Sequence, residues 1–99
     1  MSNQNSVQLV DYLLGQWGSV HDDIDQADLN ELVMRTEALF SRLGRAAEIY
    51  QRRFQNDALP NMHYSPKSTA QIAVGVLKAL RADLEEGFFP GSHSNQVVV

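Results

Sequence analysis

The chain has 99 residues, of which 43% are apolar and 20% charged, and carries a formal net charge of −4. A chain this short removes only about 60–65% of its unfolded surface from water, so it suits one domain with a thin core, and its acidic balance argues against a dedicated nucleic-acid binder. The absence of cysteine excludes disulfides, thiolate catalysis and cysteine-ligated zinc. No apolar run approaches the roughly 18–20 residues of a membrane span, and the polar start Ser2, Asn3, Gln4, Asn5 lacks the basic and apolar pattern of a signal peptide. The expectation is a cytoplasmic protein with neither membrane nor nucleic acid as partner.

Val10, Leu13, Leu14, Trp17, Val20 and Ile24 share one helical face, which predicts a first helix over about 6–22. Gly15 and Gly18 each cost such a helix roughly 1 kcal/mol relative to alanine and therefore mark a close neighbour or a bend. Asp25 is a good N-cap for a second helix, with Asp28 at its third position and Ile24 and Leu29 spaced as a hydrophobic staple.

The second helix is predicted over 26–55. Leu29, Val33, Thr36, Phe40, Leu43, Ala47, Tyr50 and Phe54 follow at steps of four and three, and Leu32, Leu39 and Ala46 widen this stripe beyond a narrow two-stranded seam. At 1.5 Å per residue such a helix is about 45 Å long, whereas its neighbours reach about 25–30 Å. Its far end therefore lacks cover. Self-association would supply it, most simply with two-fold symmetry, and Phe40, Leu43, Ala47, Tyr50 and Phe54 are the predicted interface.

Asn56, Asp57, Pro60, Asn61 and Pro66 interrupt the periodicity and predict a loop over 56–65. A third helix restarts either with Ser65 as N-cap and Pro66 at the first helical position, or three residues later with Ser68 and Gln71 as a capping box. Ala73, Val76, Leu77, Leu80 and Leu84 form its core face, Gly87 supplies a left-handed stop, and Pro90 prevents resumption. The predicted fold class is all-α: three antiparallel helices with one long central member, completed by oligomerisation. Residues 1–90 form a single helical domain and 91–99 a flexible tail whose Val97, Val98 and Val99 are apolar enough to dock on a neighbour.

Charge is polarised along the chain. Residues 1–34 hold Asp11, Asp22, Asp23, Asp25, Asp28 and Glu31 without a single Lys or Arg, whereas 35–53 hold Arg35, Arg42, Arg45, Arg52 and Arg53 against Glu37 and Glu48. Complementing the helix dipole accounts for this arrangement on the second helix. On a continuous helix Arg35, Arg42 and Arg53 would also fall within about 20° of one another, a guanidinium row suited to a carboxylate or phosphate. That anion could belong to the acidic N-terminal segment or to an external ligand.

Tyr64, Ser65, Pro66, Lys67, Ser68 and Thr69 open the last helix, where free backbone N–H groups, hydroxyls and an ammonium favour an anion. Ordinary capping accounts for the same residues, and no glycine permits the wrap of a Walker loop. The ligand-binding candidates are therefore Arg42, Arg45, Arg52, Arg53, Tyr64, Lys67, Ser68 and Thr69. His21 and Asp25 are four apart but straddle a predicted helix break without a second histidine, and Glu85 with Glu86 reads as surface charge. No catalytic residue, metal or cofactor is predicted.

The succession Ala38, Leu39, Phe40 through Arg52, Arg53, Phe54, then a proline-containing loop, then Val76, Leu77, Lys78, Ala79, Leu80, Arg81, Ala82, Asp83, Leu84, Glu85, Glu86, Gly87, Phe88 resembles a helical segment of bacterial phage-defence proteins of the abortive-infection kind. In those proteins the segment precedes an effector or ligand-sensing region. The resemblance spans about half the chain and implies a helical accessory or assembly module; it transfers no functional residue. Two functions remain: a non-enzymatic interaction protein that forms a homo-oligomer or docks on a larger protein, and a small binding protein that sequesters an anionic, nucleotide-like molecule.

Overall fold

The structure is a computed structural model that describes residues 2–86. The predicted stop at Gly87, the residues Phe88 to Pro90 and the tail 91–99 lie outside the described residues. Among those described, the chain is all-α, with no strand. Helix α1 runs Ser2–Gly18, α2 Gln26–Leu43, α3 Glu48–Arg53 and α4 Pro66–Glu86. No helix among the described residues is long and apolar enough to cross a membrane.

Helix α1 passes through Gly15 without interruption and ends at Gly18, four residues before the expected boundary. Asp25 stands in extended backbone at the N-cap of α2, but its carboxylate makes no capping bond; its carbonyl accepts the Leu29 N–H at 3.0 Å. At the start of α4 the first of the two predicted registers holds: Pro66 is the first helical residue and the Ser65 hydroxyl accepts the Ser68 N–H at 3.2 Å.

The expected single helix over 26–55 is divided at Gly44. There φ is +77° and ψ −153°, a combination open to glycine alone, and the Gly44 N–H donates back to the Phe40 carbonyl to close α2. A 3-10 turn over Gly44–Ala47 leads into α3, followed by a π-helical turn Phe54–Ala58 and a 3-10 turn Leu59–Asn61. The predicted loop is thus helical as far as Asn61, and its turn is confined to 62–64. After Gly44 the chain doubles back: the Glu37 carboxylate accepts from Gln51 Nε2 at 3.0 Å and from Gln55 Nε2 at 3.2 Å. On one straight helix residues 37 and 51 would lie about 21 Å apart. Helices α2 and α3 therefore form a hairpin.

This hairpin turns the apolar ladder inward from both arms. Phe40, Ala47 and Phe54 are wholly buried in the single chain, together with Leu13 and Trp17 of α1 and Ala73, Leu77 and Leu80 of α4. The Trp17 and Phe54 rings meet edge-on at 6.0 Å between centroids, and Phe40 lies 5.7 Å from Phe54. Trp17 is core, as its place on the Leu13, Leu14 and Val20 face requires. Its Nε1–H donates to the Thr36 hydroxyl at 2.9 Å, which in turn donates to the Leu32 carbonyl at 2.9 Å, so the polar atoms at the centre of the core are satisfied.

Candidate functional site

The hairpin stands α3 beside α4 and leaves a groove between them. Its α3 wall is Ile49, Tyr50 and Arg53, continued by Asp57, and its α4 wall is Ile72, Gly75, Val76 and Ala79, around a volume of about 720 Å³. The α4 residues recur at i, i+3, i+4 and i+7, one helical stripe two turns long. Ile49 stands on the lip with 69% of its surface in water, although its two methyl-bearing branches make it a core residue by type. Arg53 approaches Asp57 at 3.7 Å along the outer edge, so both signs of charge border an apolar floor. Such a surface can cover an apolar helix and orient it by its rim; the described groove residues include no nucleophile paired with a base and no set of metal donors.

The predicted interface residues divide between two environments. Phe40, Ala47 and Phe54 are covered by the chain's own α1 and α4, so their apolar surface requires no second copy. Leu43 is half-buried, and half-buried Tyr50 lines the groove.

The predicted anion site is not assembled. The hairpin dissolves the arginine row, which needed one continuous helix: Arg42 and Arg45 flank the Gly44 corner, whereas Arg52 and Arg53 sit on α3. Arg52 pairs with Glu48 at 3.2 Å, Arg53 with Asp57, and Arg35 with Glu31 at 2.9 Å. Among the described residues Arg42 and Arg45 make no ion pair, and neither meets the acidic N-terminal segment. At the α4 terminus the backbone donors are already taken. Asp22 accepts the Lys67 N–H and the Ser65 hydroxyl, both at 3.1 Å, which places a carboxylate of the same chain where an external anion was expected. Ser68 donates its N–H to Ser65, and the buried Thr69 hydroxyl donates to the Ala58 carbonyl at 3.1 Å. Tyr64 is 86% exposed and stacks on no ring among the described residues.

One polar element had no signal in the sequence. Arg81 spans from α4 to Asp11 of α1 in a two-pronged pair, with a second arm to Glu85 at 2.8 Å. Its hydrogen bond to Asp11 holds this guanidinium above the usual arginine value, as the Glu31 bond does for Arg35. Among the described residues no group of three or more His, Asp or Glu could hold a metal ion, and His21 stands exposed beside Asp22 without joining its cap.

No protein-family model, curated protein or solved structure matches the chain.

Proposed function

We propose that this is a cytoplasmic, non-enzymatic helical assembly module whose working surface is the groove between α3 and α4. The observation that carries the proposal is the groove itself: an apolar stripe at helical spacing, walled by a second helix and open to solvent, with Ile49 exposed on its lip. A floor of this form fits the apolar face of a helix, which presents side chains at the same spacing. Burying Ile49 alone would contribute about 1.5–3 kcal/mol to association, offset in part by the ordering of side chains on docking. The resemblance to accessory segments of phage-defence proteins agrees with a part that holds a neighbour and leaves chemistry elsewhere.

The test is photo-crosslinking in the producing cell with p-benzoylphenylalanine placed at Ile49, and at Ala27 as a control. Ala27 is exposed on α2 and does not line the groove. An adduct of protein mass from position 49, absent from position 27, is the expected result. The absence of any adduct from position 49 would remove the proposal.

A further inference from the structure

We infer that Phe88 and Phe89, which follow α4 just past the described residues, fold back into the α3–α4 groove of their own chain and cover it until a partner displaces them. The displacement rests on the groove being the working surface; the contact itself does not. The chain reverses over 62–64, and the Thr69 hydroxyl, donating to the Ala58 carbonyl, sets the two arms level at that point. Nine residues back from Ala58 is Ile49 and nine on from Thr69 is Lys78, about 13.5 Å along each arm, so exposed Ile49 stands beside Ala79. The end of the groove with the exposed isoleucine is therefore the end nearest the α4 C-terminus. Ile72, Ala79 and Glu86 recur at seven and stay within about 40° of one another, so the chain leaves α4 on the groove's own face.

The residues that follow suit the groove in kind and in reach. Residues 87–99 contain no Lys, Arg, Asp or Glu, and Phe88 and Phe89 are two of the chain's four phenylalanines, so no charge opposes their entry into an apolar floor. Gly87 is the residue type that permits a reversal, and Pro90 opposes continuation of the helix. Ala79 lies about 10.5 Å back along α4 from Glu86, and the three residues to Phe89 span up to about 10–11 Å, with the phenyl ring reaching further. Exposed Gly75 and Ala79 on the floor leave room for a ring from outside. Tethering favours these rings over any free occupant, because a segment joined to the groove by so short a link competes at an effective concentration on the order of millimolar.

The experiment is NMR of the full wild-type chain, which at 11.1 kDa gives resolved methyl and aromatic signals. The Ile49 methyl protons should show nuclear Overhauser contacts to ring protons of Phe88 or Phe89, and a mixture of labelled and unlabelled chains should show that these arise within one chain. The chain has no cysteine, so Ile49→Cys supplies a single thiol for a second measurement. Its reaction with a thiol reagent should quicken about fivefold when Phe88→Ser and Phe89→Ser are added, at unchanged helix content. The absence of the contacts, contacts only between chains, or a labelling rate that the two serines leave unchanged overturns the inference. Photo-crosslinking from position 49 separates it from the reading of the groove as a working surface, and the two serines should raise the yield of adduct. An adduct to another protein without the phenylalanine contacts keeps the assembly module and removes this occupant. The contacts without an adduct in either background keep the occupant and remove the module.

Discussion

Gly44→Ala tests the hairpin most directly. At φ +77° and ψ −153° an L-residue is strained by about 1–3 kcal/mol, while replacing glycine recovers about 0.4–1 kcal/mol from the unfolded chain. The net loss should be about 1–2 kcal/mol. At roughly 4–8 °C per kcal/mol for a domain of this size, the melting temperature should fall by about 5–15 °C. Beyond Gly44 and its two chain neighbours, no described heavy atom lies within 4 Å of a β-carbon at this position, so the loss would come from the backbone and not from a clash. A chain of this length is accessible to chemical synthesis, and D-alanine separates the two causes. Its preferred conformations mirror those of L-alanine, and the mirror image of the Gly44 backbone is an ordinary extended one. D-Alanine at 44 should therefore keep or raise the melting temperature. Gly15→Ala, within α1 and equally free of neighbours, should raise stability by roughly 0.5–1 kcal/mol. An L-alanine variant that melted with the wild type, or a D-alanine variant that lost as much as the L form, would show that the left-handed backbone at Gly44 is not what limits this position.

Trp17→Ala should cost about 3–5 kcal/mol and leave the domain largely unfolded at 37 °C, whereas Trp17→Phe should lose about 1–2 kcal/mol, with the Thr36 hydroxyl left without its donor; denaturant titrations followed by circular dichroism measure both. Asp22→Ala should cost about 0.5–2 kcal/mol and speed hydrogen exchange at the Lys67 amide while leaving the α2 amides unchanged. Arg42→Glu and Arg45→Glu should shift stability by no more than about 0.5 kcal/mol and leave the oligomeric mass as it was, because both side chains are exposed at the Gly44 corner and pair with no described acid.

Periodicity exposed the helices because each buries one stripe, and a stripe leaves its spacing in the sequence whatever it packs against. Ser65 and Pro66 were legible for another reason: a fixed φ and a capping hydroxyl act within four residues. The hairpin left no comparable trace in the ladder. Leu29 to Leu43 and Ala47 to Phe54 face the same core from opposite arms, so the three-and-four spacing crosses Gly44 as though the helix continued. The signal present was Gly44 itself, a helix stop inside an otherwise regular pattern. Capping by Asp22 and the pairing of Arg81 with Asp11 join residues 45 and 70 apart, beyond the reach of any local pattern. The groove depends on the hairpin and was illegible with it; only the stripe Ile72, Gly75, Val76, Ala79 stood in the sequence, at the edge of a core face that claimed Val76 for itself.

Folding back at Gly44 also moves the motive for assembly. A straight helix over 26–55 would leave the end of the ladder in water, and Phe54 would then be its most costly exposed residue. With the hairpin closed, Phe54 is wholly buried between Trp17 and Phe40, and Phe54→Asp must unfold the monomer before it can report on any interface. The uncovered apolar surface instead lies on Ile49 and on Gly75 and Ala79 of α4, where substitutions can be made without entering the core. The two sets of variants should therefore separate. Changes at Phe40 or Phe54 should lower the melting temperature and, through it, everything else, whereas changes at Ile49 should weaken association through the groove at constant melting temperature. If an Ile49 variant instead lost helix content in step with association, that side chain would belong to the fold of the single chain, and the case for the groove as a surface of assembly would fail with it.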